Sequence, residues 1–454
     1  MYYTGGIYMK LGIHIVSYPV GNDKYVAFDP LSKAIIILNK NEKEILEKFQ
    51  NNEKCLLSEY EKQVIKDIEE VVRKKREETT KALSFEPPNP IMMVLMVSQT
   101  CNLACKYCYA HSGTYNTPGL MKFEIGKMAL DVADELGITN IQFYGGEPLM
   151  NFRLIEKLIE YADNAGYTFK YGIITNGTLI TEEIAEFFKQ HEFDVTISID
   201  GPKEINDINR VYPDDTGTHD DIIRAIDLLN EREVPLALEI TYARNYVKIH
   251  SISEILDYLS RFSKTFIVGY VFPTVDGKKQ EYEPTEQEVA DMMVELVDYL
   301  FSKWEQGIPI KEMGTCMILR ELLSPTYYIK KCICPELPAR LTVFYDGKVY
   351  PCHQVYLDHR FYLGEIVDKD FSKMLEDRFE RVIGNFSISK LSLNPGDKWM
   401  ASVCSFCKAH LDEIGGKYYL RYAKAYQKSL DRIIYNIATR DMNTVIKTLG
   451  GMII

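Results

Sequence analysis

At 454 residues the chain is too long for one ordinary core, and two or three domains are expected. Its 46% apolar and 26% charged residues are those of a soluble globular protein. No apolar run nears the ~18–20 residues that span a bilayer, and Met1–Gly6 lacks the layout of a secretion signal, which predicts a cytoplasmic protein with no membrane partner. A net charge of −12 argues against nucleic acid as a partner, because phosphate binding calls for a basic face.

The first eighty or so residues read as a small α+β unit. Ile13–Tyr18, Lys24–Phe28 and Ala34–Leu38 are short apolar or alternating runs separated by Gly21-Asn22-Asp23 and Asp29-Pro30, a strand meander. Two helices follow, introduced by Asn41 with Glu44 and Ser58 with Glu61, each at capping-box spacing. Pro87, Pro88 and Pro90 disfavour helix and mark a linker over Phe85–Pro90.

From Ile91 to Pro273 apolar strands alternate with amphipathic helices. The strands are Ile91–Val97, Asn140–Tyr144, Lys170–Thr175, Asp194–Ile199, Leu236–Thr241 and Thr265–Phe272; helices such as Glu124–Leu136 and Thr181–His191 separate them. Six β–α units in series imply an α/β fold with a parallel sheet and right-handed crossovers, open or rolled into a partial (β/α)6 barrel. In such sheets the chemistry gathers at the C-terminal strand ends. A helix over Glu286–Trp304, an irregular segment from Cys316 to Cys407, and a polar helical tail over Lys417–Leu449 complete the chain.

The ten cysteines are clustered: Cys101, Cys105 and Cys108 on one short loop, six between Cys316 and Cys407, and Cys55 apart. Without a secretion signal, such clustering reads as metal ligation rather than a disulfide framework. Three thiolates after the first core strand leave one iron of a four-iron cluster open to a small chelator; a zinc site would need a fourth ligand nearby. The second group, Cys334-x12-Gly347-x4-Cys352 and then Cys404-x2-Cys407, supplies four thiolates, enough for one fully ligated four-iron cluster, with zinc again the alternative. Tyr345-Asp346-Gly347-Lys348 reads as a hairpin turn that brings its flanks together. Cys332 also has an acceptable spacing to Gly347, and Cys316 and Cys332 read as buried structural cysteines or substrate-facing thiols, as Cys55 reads as a core position.

The Cys-x3-Cys-x2-Cys spacing, with Tyr107 before the last cysteine, is similar to the signature of the radical S-adenosylmethionine (SAM) superfamily. That resemblance covers about Ile91–Phe272. It implies a 4Fe-4S cluster on Cys101, Cys105 and Cys108, SAM on its open iron, and an electron donor such as flavodoxin or ferredoxin. Gly145-Gly146-Glu147-Pro148 resembles the family's segment that meets the amino group of SAM. Ser198 and Arg210, twelve residues apart, resemble the cofactor contacts of the branch that modifies sulfatases and peptides; Tyr107 and Asp200, inside the same motifs, are further cofactor-binding candidates. Arg210 suits a carboxylate well.

The second cysteine group resembles the auxiliary-cluster domain called SPASM, or its shorter relative twitch. The two further cysteines of full SPASM are replaced by Glu413 and Lys417, which implies one auxiliary 4Fe-4S cluster on Cys334, Cys352, Cys404 and Cys407. In sulfatase maturases an aspartate base follows the cysteine that matches Cys352; here His353 stands there, a candidate catalytic base near neutral pH. The N-terminal unit resembles the winged-helix-like precursor-recognition domain of enzymes that mature ribosomal peptides, in which a sheet edge captures a leader. The expected divisions are 1–85, 90–310 and 311–454. The expected activity is removal of hydrogen from a leader-bound ribosomal precursor peptide, with a thioether crosslink leading and carbon–carbon crosslinking or epimerisation behind it. Sulfatase-maturase-like protein modification, which His353 counts against, a small-molecule radical dehydrogenase and a non-catalytic iron–sulfur or zinc scaffold are the alternatives.

Overall fold

The computed structural model describes residues 13–20, 23–51, 57–80, 90–246, 249–274, 276–324, 332–334, 339–393, 400, 406–407 and 410–450. Met1–Gly6, Gly21, Asn22, Cys55, Phe85–Pro88 and Cys404 lie outside the described residues.

The N-terminal strands β1 (His14–Val20), β2 (Lys24–Asp29) and β3 (Ala34–Asn39) form an antiparallel sheet in that order. Strand period sets its two faces. Ala27 and Leu38 pack with Ile13 and with Ile45, Leu46, Ile65 and Ile68 of helices α1 (Lys40–Asn51) and α2 (Glu59–Thr80), in a small core of their own. Val16, Val26 and Phe28 join the main core instead. The expected cap on Ser58 and Glu61 is present. The one expected on Asn41 and Glu44 sits two residues earlier: Asn39 Oδ1 accepts from Glu42 N at 2.9 Å while Glu42 Oε2 accepts from Asn39 N at 2.8 Å. Asn39 still ladders with Lys24, so strand passes into helix with no loop, and the last strand residue does the capping.

Six parallel strands form the core as expected: β4 (Met92–Ser98), β5 (Asn140–Gly145), β6 (Lys170–Thr175), β7 (Asp194–Ser198), β8 (Leu236–Tyr242) and β9 (Thr265–Tyr270). Their crossovers include helices α3 (Phe123–Glu135), α4 (Phe152–Ala165), α5 (Glu182–Gln190), α6 (Lys203–Asn209), α7 (His219–Glu231) and α8 (Ile252–Leu259). Alternate residues such as Ile141 and Phe143, or Leu238 and Ile240, are fully buried, whereas Gln142, Tyr144 and Glu239 are only partly so. The first set faces the helices and the second faces the hollow of the curved sheet.

The sheet does not stop at six strands. After α9 (Glu286–Glu305), β10 (Lys311–Glu312) adds parallel to β9 and leads into α10 (Met313–Leu323). On the opposite edge β11 (Arg340–Val343) pairs parallel with β4, and β12 (Lys348–Tyr350) and β13 (Gly364–Glu365) follow antiparallel. The hairpin turn expected at Tyr345–Lys348 joins β11 to β12, with Gly347 at φ +89°. The cysteine-bearing segment is thereby hydrogen-bonded onto the strand that feeds the three-cysteine loop.

The helical tail expected over Lys417–Leu449 is corrected in its first part. After α11 (Phe371–Asn385) and β14 (Leu391–Ser392), strands β15 (Leu411–Ile414) and β16 (Lys417–Leu420) form a hairpin. Gly415 and Gly416, at φ +58° and +75°, make a turn that a helix cannot follow. Helices α12 (Ala423–Thr439) and α13 (Met442–Leu449) come after it, and α12 is no polar tail: Leu430, Ile433 and Ile434 are fully buried. Among the described residues no helix is long and apolar enough to cross a membrane.

Candidate active site

The loop bearing Cys101, Cys105 and Cys108 leaves β4 at Ser98 and is held from three directions. Gly146 N donates to Ser98 O at 2.7 Å and Glu147 N to Thr100 O at 2.8 Å, so the end of β5 lies directly against the root of the loop. A Cβ on Gly145 would stand 2.0 Å from Ser98 O, and one on Gly146 2.4 Å from Thr100 O. The glycine pair is therefore required by the loop's own backbone. On the other side Ala104 N donates to Val211 O and Lys106 N to Asn209 O, at 2.8 and 2.9 Å, which straddles Arg210 and sets it beside Cys105. Beyond Cys108, His111, Ser112, Tyr115 and Asn116 all have positive φ between 49° and 63°. Such backbone costs on the order of 1 kcal/mol or more per residue. It holds the Tyr115 hydroxyl 2.7 Å from that of Tyr109.

The three thiols share one electrostatic neighbourhood. Loss of solvation pushes Cys101 and Cys105 up to about 12; Glu147 adds to the shift at Cys101, and Arg210 opposes it at Cys105. Leu103 N and the Asn176 amide donate to Cys101 Sγ at 3.4 and 3.8 Å, contacts that favour a thiolate. Among the described residues no three His, Cys, Asp or Glu side chains gather closely enough to ligate one metal ion. A four-iron cluster spreads its thiolates over separate irons, and three cysteines on one loop suit that donor set.

Glu147 is fully buried, and its carboxylate accepts from Leu149 N, Thr175 Oγ1 and Asn176 N at 3.0, 2.7 and 2.8 Å. Burial raises it to about 7 against those three donors. This carboxylate ties the end of β5 to the end of β6. Asp200 is also fully buried: it accepts from Tyr107 Oη at 2.5 Å, Arg210 Nε at 3.0 Å and Thr241 N at 3.1 Å. Arg210 thus spends only Nε on the protein, lies 5.6 Å over the Tyr107 ring, and keeps both Nη groups without a protein partner among the described residues. That free fork is what a carboxylate ligand needs. Ser198 Oγ donates to Glu239 Oε2 at 3.2 Å. So Tyr107, Ser198, Asp200 and Arg210 come together under the cysteine loop, with Gly145, Gly146 and Glu147 beside them.

The second cysteine group approaches the first through aromatic residues. His353 follows Cys352, with its ring 4.9 Å from Tyr144 and 6.1 Å from Tyr109. Tyr115 and Tyr144 each lie in the field of both Cys108 and Cys352. Loss of solvation, with Arg340 nearby, lowers His353 to about 3, a weak base at neutral pH. Ile333 N donates to Phe386 O and Phe406 N to Ile333 O, at 2.9 and 3.0 Å, which aligns Cys334 with the Cys407 segment. Cys332 Sγ turns to Phe386 O at 3.4 Å. The Cys332 thiol is thus hydrogen-bonded to the end of α11, while Cys334 follows the residue that bonds the Cys407 segment. Cys316 lies on α10 with its thiol raised to about 11 by loss of solvation.

Residue reading missed Tyr109, Tyr144, Glu239 and His410. The His410 ring stacks on Tyr270 at 4.8 Å and is 5.9 Å from Phe272, which meets Tyr109 at 5.1 Å. For Tyr144 and Glu239 a signal existed: strand alternation puts both on the hollow side, Tyr144 near the C-terminal end of β5 and Glu239 at the middle of β8.

Residues 95–259 match the radical SAM superfamily. The chain is an enzyme that carries a radical SAM domain. A 4Fe-4S cluster and SAM are the cofactors of such an enzyme, and the three-thiol loop and the free Arg210 fork fit them. The enzyme is related to the cysteine-type anaerobic sulfatase-maturating enzyme of Clostridium perfringens, at 27% identity over 63% of this chain and 80% of that protein. It is also similar to an uncharacterized protein of Methanocaldococcus jannaschii, at 36% identity over 42% of this chain; the match spans 64% of that relative, just under two thirds. The solved structure "Native anSMEcpe with bound AdoMet and Cp18Cys peptide" shares the enzyme's fold, with TM-score 0.65 and 22% identity over 77% of this chain and 99% of that one.

Proposed function

We propose that this radical SAM enzyme modifies a peptide, taking a hydrogen atom from a leader-bound ribosomal precursor and installing a thioether crosslink from a cysteine sulfur to carbon. Carbon–carbon crosslinking and epimerisation are the nearest variants. The observation that carries the peptide reading is the N-terminal sheet. Strand β3 pairs only with β2 among the described residues, Ile37 on it is 48% exposed, and beside it Lys33, Ala34, Ile35, Val71, Lys74, Lys75 and Glu78 line a groove. An open strand edge beside a groove with apolar and charged walls suits an extended peptide, which gains main-chain hydrogen bonds there. The peptide held in the related solved structure supports the same substrate class.

In this proposal Cys101, Cys105 and Cys108 hold the radical cluster. Tyr107, Gly145, Gly146, Glu147, Ser198, Asp200 and Arg210 build the SAM site, with Asp200 and Glu147 orienting their neighbours. Cys334, Cys352, Cys404 and Cys407 would hold one auxiliary 4Fe-4S cluster, which would accept the remaining electron as the S–C bond forms and the thiol proton leaves. The bound cluster and SAM supply a 5′-deoxyadenosyl radical; the protein supplies placement and exclusion of water. The proposed divisions are 1–85 for recognition, 90–310 for the radical core and 311–454 for the auxiliary part, in a cytoplasmic enzyme reduced by a flavodoxin or ferredoxin. His353 is the candidate base, although a pKa near 3 makes it a poor proton acceptor and its ring contacts suit packing better. Sulfatase-type maturation is the second reading, favoured by the Clostridium relative and opposed by histidine in place of the aspartate.

The test is mass spectrometry of a short cysteine-rich precursor, taken from the enzyme's genomic neighbourhood and co-expressed with it. A loss of two hydrogens per crosslink is expected, with deuterium uptake from solvent as the sign of epimerisation. Ile37→Glu and Val71→Glu should weaken leader binding by about tenfold or more (~1.4 kcal/mol) in fluorescence anisotropy, while the enzyme still makes 5′-deoxyadenosine slowly without peptide. Replacing Cys101, Cys105 and Cys108 by Ala should abolish that turnover. Normal modification by the β3-edge variants would refute leader recognition.

A further inference from the structure

The hollow of the curved sheet holds an acid for which the scheme above has no use. Glu239 lies on β8 between Leu238 and Ile240, both fully buried on the helix side, so its side chain enters the hollow. It stands in register with Ser198 of β7 and Ile267 of β9. Among the described residues its carboxylate has one hydrogen bond, from Ser198 Oγ at 3.2 Å. A carboxylate has room for about four.

The charges around it do not balance. Asp200 and Arg210 are its ionisable neighbours, and these two already pair with each other at 3.0 Å. Tyr144, the other titratable group in its field, is uncharged at neutral pH, since loss of solvation raises its hydroxyl further. Glu147 is satisfied by three donors of its own. Among the described residues, then, two acids, Glu239 and Asp200, share the one cation Arg210. Loss of solvation raises Glu239, and the attraction of Arg210, already engaged with Asp200, only partly opposes it. A cation delivered by a ligand would complete the set.

We propose that Glu239 is a cofactor-positioning residue whose carboxylate recognises the positive charge of SAM from the wall of the hollow. The inference rests on the reading of Ser198 and Arg210 as the SAM site, because Glu239 is hydrogen-bonded to the first and lies in the field of the second. The division of labour is simple: the Arg210 fork takes the carboxylate of the methionine part, and Glu239 answers the sulfonium. S-adenosylhomocysteine keeps every hydroxyl, amino and carboxylate group of SAM and lacks the methyl and the sulfonium charge. It separates recognition of charge from recognition of hydroxyls.

The experiment measures dissociation constants for SAM and for S-adenosylhomocysteine on the anaerobically reconstituted full-length enzyme, by equilibrium dialysis. The wild type should prefer SAM. Glu239→Gln, nearly isosteric, should reduce the ratio of the two affinities by about tenfold, and Glu239→Asp, which keeps the charge, should retain most of it. Equal weakening of both ligands would assign Glu239 to the groups they share, the hydroxyls or the α-ammonium, and overturn recognition of the sulfonium. An unchanged pair of constants would also overturn it, placing the acid on the substrate side. A wild type that binds neither ligand would refute the SAM site itself, a failure distinguishable from the other two. If Glu239→Gln does not retain iron, the ratio for Glu239→Asp decides: a ratio like that of the wild type supports the proposal, and collapse to unity overturns it.

Discussion

His410 shows how a residue's surroundings decide its chemistry. Its Nδ1 lies 2.6 Å from Tyr426 Oη, its ring stacks on Tyr270, and loss of solvation beside Arg421 lowers it to about 4 from an ordinary 6.5. A folded-state pKa below the unfolded one means the fold prefers neutral imidazole. The associated stability is present above pH 6.5 and disappears as pH falls through 6.5 towards 4. It amounts to at most about 3.5 kcal/mol, at ~1.4 kcal/mol per pKa unit. Urea unfolding at several pH values should therefore show His410→Phe losing part of the wild type's decline between pH 6.5 and 4; an identical slope would contradict the assignment. None of this was legible in the sequence, where His410 is one histidine of eight. The rings that shut water out, Tyr270 of β9 and Tyr426 of α12, come from separate elements of the chain.

Glycines serve different ends in different elements. Gly146 terminates β5 against the cysteine loop, where an added Cβ would meet Thr100 O at 2.4 Å and Gly113 O at 2.8 Å, both backbone atoms that cannot yield cheaply. Gly146→Ala should destabilise the protein by about 2–3 kcal/mol through overpacking and lower the iron bound after reconstitution, because the displaced loop bears the three cysteines. Gly384 sits exposed within α11, with nothing within 4 Å of an added Cβ. Gly384→Ala should stabilise by roughly 0.5–1 kcal/mol, since helix formation then costs less backbone entropy. Thermal melts of the two variants should shift in opposite directions. The Gly-Gly-Glu segment was conspicuous as a motif, but its tie to the loop root depends on β4 and β5 being neighbours.

At the scale of the molecule, the N-terminal sheet is built into the rest. Tyr18 of β1 meets Tyr435 of α12 at 6.0 Å and lies 5.0 Å under the Arg432 guanidinium. Arg432 in turn donates to both oxygens of Asp298 on α9, at 2.5 and 2.7 Å. Lys33 at the start of β3 donates to Glu321 O at 2.5 Å and to Ser324 O at 3.2 Å, at the end of α10. Arg432→Met should cost about 1 kcal/mol, given partial exposure, and hydrogen exchange in β1 should accelerate more than in β4. Equal acceleration in both strands would mean that Arg432 stabilises the whole molecule rather than the docking of this sheet. Deleting the N-terminal eighty residues would strip this shared core, so point changes on the β3 edge are the sharper test of leader recognition. Local signals in the sequence determined the six β–α units, the three-cysteine loop and the strand-end motifs, because strand period, capping and short ligand spacing act within a few residues. Only the tertiary structure decided that β11 joins β4, that Lys417–Leu420 is a strand, that Cys332 turns away to Phe386, and that Glu239 stands beside Ser198. Each of these depends on pairing between segments tens of residues apart, where backbone hydrogen bonds and burial choose the partner and local sequence carries no record of the choice.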